Sequence, residues 1–90
     1  MIARICTEDT NQEATRHLIT KNFEAFTVYR GMGAWRGQSD ASVTIEVAIS
    51  ATDCDSLFRL RVLAVASEIK TMNSQESVLV EFIDSTNIFV

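Results

Sequence analysis

Nine residues in the middle of the chain, Ser42-Val-Thr-Ile-Glu-Val-Ala-Ile-Ser50, set Val43, Ile45, Val47 and Ile49 at alternate positions. Successive side chains of an extended strand point to opposite faces, so this period of two gives the strand one apolar face and one polar face. A sheet built on it has one side to cover. Helices packed on that side are the economical solution.

The remaining segments supply the other elements. Met1 to Cys6 reads as a short strand that ends at the polar Thr7-Glu-Asp-Thr10. Thr10 and Glu13 have the spacing of a capping box, which predicts a helix running to about Asn22. Its apolar residues are mainly Ala14, Leu18 and Ile19, so it is expected to be half buried. Phe26 to Arg30 is aromatic and β-branched, and should pair with Ser42 to Ser50 as a hairpin across a long, loose connection. Thr52 to Ser56 offers N-caps for a second helix over Ser56 to about Met72. Asn73-Ser74 ends it, and Ser77 to Ile83 makes the last strand.

The resulting order, β-α-β-β-α-β, is that of ferredoxin-like folds: an α+β, four-stranded antiparallel sheet in the order 4-1-3-2, with two helices on one face. Ninety residues, 47% of them apolar, suffice for one such domain over 1–90.

Charge and cysteine usage narrow the function. A formal charge of −4 argues against direct nucleic-acid binding, which needs a basic face, and leaves an acidic surface suited to a basic partner. No basic segment followed by an apolar one opens the chain, and no apolar run reaches membrane-spanning length, so a cytoplasmic protein without membrane contact is expected. Cys6, Cys54 and the single histidine, His17, form no paired-cysteine or zinc-ligand spacing. No metal or cofactor is expected. The topology sends Cys6 and Cys54 to opposite ends, which predicts no disulfide between them.

With Ala3 and Ile5 facing the helices, Arg4 falls on the open face of the first strand, between Glu46 of the third and Glu81 of the fourth. Three connections meet at one end of the fold: Thr7 to Thr10, the glycine-containing segment, and Asn73 to Glu76. That end gathers Glu8, Asp9, Arg30, Trp35, Arg36, Asp40, Asn73, Gln75 and Glu76. The segment Tyr29 to Asp40 holds all the glycines. A dinucleotide cradle would need a helix directly after them, and a Walker loop a Gly-Lys-Ser/Thr; here a strand follows. A flexible hairpin loop remains, carrying Trp35, Arg30 and Arg36, residue types that dominate binding hot spots. Trp35 either anchors a partner or folds back over the sheet edge.

On the second helix Phe58, Val62, Val65, Ile69 and Met72 form a core stripe. Leu57, Leu60, Leu63 and Ala64 lie on another side, to pack on the first helix or to meet a partner or second copy. The tail, Ser85 to Val90, ends in Ile88-Phe89-Val90, and could extend an edge strand, cross to another subunit or close the core.

Several families of this topology are set apart by what is missing. Acylphosphatases carry a glycine- and arginine-containing phosphate loop after the first strand, where this chain has the acidic Thr7-Glu-Asp-Thr10. RNA-recognition domains place aromatics on the central strands, and Ala3 to Cys6 and Val43 to Ile49 contain none. Heavy-metal-binding domains carry paired cysteines. ACT-like regulatory domains share the topology and bind effectors at dimer interfaces, but no motif diagnostic of them is found.

Trp35-Arg-Gly37 followed by Ser42-Val-Thr-Ile-Glu-Val47 resembles a pattern in small phage and mobile-element proteins of this fold, over about a third of the chain. That resemblance implies inhibitors of host machinery, the anti-CRISPR proteins among them, acting in the host cytoplasm.

A non-catalytic protein–protein interaction module is therefore the leading expectation, an inhibitor of a bacterial defence complex if the chain is phage-encoded. Its contact residues would be Arg30, Trp35, Arg36, Asp40, Glu8, Asp9 and Glu76, with Leu57, Leu60, Leu63 and Ala64 as a dimer or helix interface. The alternative is a homodimeric regulatory domain that senses an anion or nucleotide through Arg30, Arg36 and the glycine segment. Catalysis ranks third, with Glu8 or Asp9 as a general base and Arg36 stabilising an anion.

Overall fold

The apolar alternation of the central strand is buried as its period requires. The computed structural model describes residues 1–88 and 90, and the side chains of all of these but Trp35. Its elements are β1 (Ile2–Glu8), α1 (Gln12–Asn22), β2 (Phe26–Trp35), β3 (Gln38–Ala48), α2 (Asp55–Met72) and β4 (Leu79–Ile83). The strands form one antiparallel sheet in the order β2-β3-β1-β4, the expected 4-1-3-2 read from the other edge.

One sheet face carries the core. Ala3 and Ile5 of β1 and Val43, Ile45 and Val47 of β3 are buried beneath Ile19 of α1 and Phe58, Val62, Val65 and Ile69 of α2. Phe23, at the end of α1, meets Phe58 edge to face at 6.4 Å between ring centroids, the geometry in which the positive edge of one ring faces the negative face of the other. On the opposite face, register sets Arg4 between Glu46 and Glu81, as charge alternation predicted. Arg4 Nε donates to Glu46 Oε2 at 2.9 Å, and that bond raises the guanidinium pKa further above its usual value.

The helix starts differ from expectation. No capping box forms at Thr10 and Glu13; the N-cap is Asn11, in left-handed backbone conformation with φ 50°. Its amide does another job, donating to Asn73 Oδ1 at 2.9 Å and to Met72 O at 3.3 Å. Met72 O is one of the carbonyls that the end of α2 leaves without a helical partner, so the start of α1 caps the end of α2. At its own start α2 has Cys54 as N-cap, without a side-chain cap bond, and β4 begins at Leu79 rather than Ser77.

The largest difference lies in the glycine segment. It is not a loose connection: β2 continues through Gly31 and Gly33 to Trp35, and β3 begins at Gln38. Only Arg36 and Gly37 turn, with φ 50° and 81°. Two successive positive φ values are what a two-residue type I′ turn requires, and that turn matches the twist of its flanking strands. Four residue pairs, Met32↔Ala41 to Trp35↔Gln38, extend beyond the last β1–β3 pair, Glu8↔Ser42. This ribbon stretches the molecule to 40 × 21 × 21 Å. The radius of gyration is 13.2 Å, against about 12 Å for a compact chain of this length.

Both cysteines are free, Cys6 opposite Thr44 and Leu79 in the sheet and Cys54 exposed at the N-cap of α2. In the tail, Asn87 Nδ2 donates to Met1 O at 3.1 Å, while Ile88 and Val90 are exposed and do not close the core. Phe89, the third apolar residue of that expectation, lies outside the described residues. Among the described residues no helix is long and apolar enough to cross a membrane.

Candidate functional site

The end of β1 and the connection from α2 to β4 are tied by amides and hydroxyls. Thr7, buried at the end of its strand, donates through Oγ1 to Gln75 Oε1. Asn73 Nδ2 bonds Thr7 Oγ1 at 3.3 Å and Gln75 Oε1 at 3.0 Å, and the Glu8 backbone N–H reaches the same Gln75 oxygen at 3.4 Å. With Asn11 bound to Asn73, three segments are held in one network: the end of β1, the start of α1 and the connection from α2 to β4. Its effect is to fix the residue that follows β1, Asp9.

Asp9 is further held by its backbone N–H, which donates to Ala41 O at 3.0 Å. Its carboxylate, 11% exposed, lies 3.5 Å from Arg30 Nε. Arg30 pairs with Val43 on the helix-bearing face of the sheet, where α1 leaves the edge strand β2 uncovered. There a cleft of about 260 Å³ opens between α1 and the sheet. Asp9, Thr10, Gln12, Arg16 and Arg30 line it with polar groups; Ile19, Phe26, Val28, Val43 and Ile45 give it apolar walls. Thr15 stands among them, 7% exposed, with its hydroxyl oxygen unpartnered.

The cleft thus has the composition of a small-molecule site: apolar walls that take a flat or aliphatic body, and a few placed polar groups that orient it. A hollow of about 430 Å³ at the other end of the sheet has the Asp53–Arg61 ion pair, 3.3 Å apart, but no unpartnered buried polar group among the described residues.

Of the contact residues expected from sequence, the structure brings Asp9 and Arg30 together. Glu8 pairs with Ser42 and Asp40 with Gly33, both on the open face, and Glu76 is exposed on the connection before β4. Trp35 and Arg36 sit at the ribbon tip, about 16 Å along the strand from Arg30 at roughly 3.3 Å per residue. The expected role of the Trp35 side chain lies outside the described residues. No single surface collects the other six.

The leucine face of α2 also departs from one of its two expectations. Leu57, Leu60 and Leu63 are 57%, 64% and 48% exposed and do not pack on α1. The groove between the helices is lined instead by Ala14, His17, Leu18 and Lys21 of α1 with Ser67, Glu68, Thr71 and Met72 of α2. Sequence reading missed Gln12, Thr15 and Arg16 altogether. The signal for Thr15 was there, a polar residue four positions before Ile19 on the buried side of α1.

No protein-family model matches the sequence, and no curated protein matches it either. Solved structures do share its fold. One is a phage SAM lyase in complex with S-methyl-5′-thioadenosine, with TM-score 0.64 and 22% identity over 88% of this chain and 76% of the other. A second is a phage SAM lyase in the apo state, with TM-score 0.65 and 21% identity over 88% and 75%.

At such identity the likeness is one of fold. It agrees with the resemblance to small phage proteins, and it carries nothing of the anti-CRISPR part. It corrects the leading expectation of a non-catalytic inhibitor, because the two solved structures just named are both of an enzyme.

Proposed function

We propose that this chain is an enzyme that splits S-adenosylmethionine (SAM) and leaves S-methyl-5′-thioadenosine, with the nucleoside seated in the cleft between α1 and β2. The observation that carries the reading is the cleft itself: an apolar slot with a fixed carboxylate and a guanidinium at its mouth, in a fold shared with a SAM lyase. Asp9 is placed to accept the vicinal hydroxyls of a ribose, the usual task of an acidic residue in nucleoside sites. Arg30 is placed to hold the carboxylate of the amino-acid arm. The substrate also fits the cytoplasmic location expected from sequence.

The chemistry explains why no catalytic signature stands out. S-methyl-5′-thioadenosine keeps the methyl and adenosyl groups, so the bond broken is that between sulfur and Cγ of the amino-acid chain. Its electron pair goes to sulfur and neutralises the sulfonium. The leaving group therefore needs no proton, and no general acid is required.

Cγ must gain a pair in exchange. The fragment's own carboxylate oxygen can supply it, closing a lactone, and in that route the protein contributes neither nucleophile nor base. Positioning the arm and excluding water are then the main tasks, and both fall to the walls and mouth of the cleft. A carboxylate set against the sulfonium itself would favour the charged substrate over the transition state and slow the step. The reading accordingly gives Asp9 to the ribose.

Incubating the purified chain with SAM and following the nucleoside by chromatography tests this directly. S-methyl-5′-thioadenosine should appear as SAM disappears, with the remaining four-carbon amino acid as a lactone. Absence of that product, together with no detectable binding of S-methyl-5′-thioadenosine at millimolar concentration, would end the proposal.

A further inference from the structure

Thr15 poses a problem that the fold does not solve internally. A helical threonine usually satisfies its hydroxyl by bonding the carbonyl four residues back. Here the Asn11 carbonyl accepts the Thr15 backbone N–H at 2.9 Å, and the Thr15 hydroxyl has no partner although its residue is 7% exposed. Buried polar atoms in native proteins are almost always paired, so an orphan of this kind asks for a reason. Its position supplies one: Thr15 lines the cleft, one helical turn inward from the mouth residue Gln12 and one turn before Ile19 of the apolar wall.

We propose that Thr15 Oγ1 reads the edge of the ligand's purine base. The inference rests on the nucleoside reading of the cleft. With Asp9 at the mouth on the ribose, the base lies deeper, among Ile19, Phe26 and Val28, where Thr15 lines the same cleft. A hydroxyl can donate to a ring nitrogen or accept from an exocyclic amino group, so it suits an adenine edge. Valine at this position keeps the shape and removes the hydrogen bond. Serine keeps the hydroxyl and removes only a methyl.

The experiment uses S-methyl-5′-thioadenosine as probe in titration calorimetry against the wild type, Thr15→Val and Thr15→Ser, with the melting temperature of each measured free of ligand. Thr15→Val should bind roughly 5- to 10-fold more weakly, the loss expected for one hydrogen bond to a desolvated group. Its melting temperature without ligand should be unchanged or higher, because an unpaired buried hydroxyl is gone. Thr15→Ser should bind within about 3-fold of the wild type.

Equal affinity of Thr15→Val and wild type would overturn the role of Thr15 and leave the nucleoside reading standing. A lower ligand-free melting temperature for Thr15→Val would also overturn it, by showing that the hydroxyl serves the fold. A wild type that binds neither S-methyl-5′-thioadenosine nor SAM would overturn the nucleoside reading, and the role of Thr15 with it.

Discussion

Asp9 and Arg30 are carried by β1 and β2, strands that do not touch in the sheet, one just past its strand's end and the other within its strand, and their side chains meet at 3.5 Å across β3. Asp9 follows β1, Arg30 belongs to β2, and the strand between them presents Val43 below the pair. Arg30 is 55% exposed, so the contact is worth little to the fold, about 0–1 kcal/mol. In the proposed function its position over the cleft mouth gives it another use.

That use separates two ligands. Arg30→Ala should raise KM for SAM by about 10-fold and leave the Kd of S-methyl-5′-thioadenosine nearly unchanged, because only SAM carries a carboxylate. Asp9→Asn should weaken both by about 5- to 10-fold, since both carry the ribose. Steady-state kinetics with SAM and calorimetry with the nucleoside measure the two effects. An equal loss of both ligands in Arg30→Ala would remove the carboxylate assignment.

The glycines allow a test of the ribbon. A Cβ at Gly31 or at Gly37 would meet nothing within 4 Å, but Gly37 has φ 81°. Gly37→Ala should therefore cost about 1–2 kcal/mol through backbone conformation alone. Gly31→Ala should be neutral or stabilising by up to about 0.5 kcal/mol, as a strand interior gains from losing glycine. Urea unfolding of the pair measures the contrast.

Phe58 is 1% exposed and packs on Phe23. Phe58→Ala should cost about 3–5 kcal/mol through lost burial and a residual cavity. For a small domain whose total stability is on the order of 5–10 kcal/mol, that is enough to populate the unfolded state on warming. Thermal denaturation followed by circular dichroism shows the effect.

Asn73 bridges Asn11, Thr7 and Gln75. Asn73→Ala removes the bridge and leaves part-buried partners short of a bond, at a cost of about 1–3 kcal/mol. The loss should also free Asp9, so weaker S-methyl-5′-thioadenosine binding should accompany it. Denaturant midpoint and calorimetric Kd on the same variant check both.

Leu60, 64% exposed on α2, makes the opposite case. Leu60→Lys should leave stability within about 0.5 kcal/mol, as for other surface changes. A melting temperature that falls in this variant, and rises with concentration in the wild type, would reveal that this face is covered by another copy.

Much of the fold was legible because one strand spells it out. The alternation of Val43, Ile45 and Val47 set the buried face, and Arg4 between Glu46 and Glu81 fixed the register of three strands. The ribbon was missed because Gly31, Gly33 and Gly37 look alike in a sequence, whereas one of them alone has a positive φ. Thr10 and Glu13 matched a cap pattern, but Asn11 won because its amide also closes the end of α2.

That topology brings Asp9 and Arg30 to one end was legible, although as contacts for a partner and not as the mouth of a cleft. Thr15 was not: its place four residues before Ile19 marks it as buried, but nothing in a sequence marks whether a helical hydroxyl finds a partner. The proposed cleavage, in which the leaving group needs no proton, calls for no local motif that a sequence would announce.

The overhanging ribbon makes the molecule a stiff block with a cantilever. Two strands alone resist bending poorly, and a load on a cantilever produces its greatest bending moment at the root. The root here is the stretch where Arg30 faces Val43 and Asp9 holds Ala41. A load on the ribbon would therefore be felt first at the mouth of the cleft, beside Arg30.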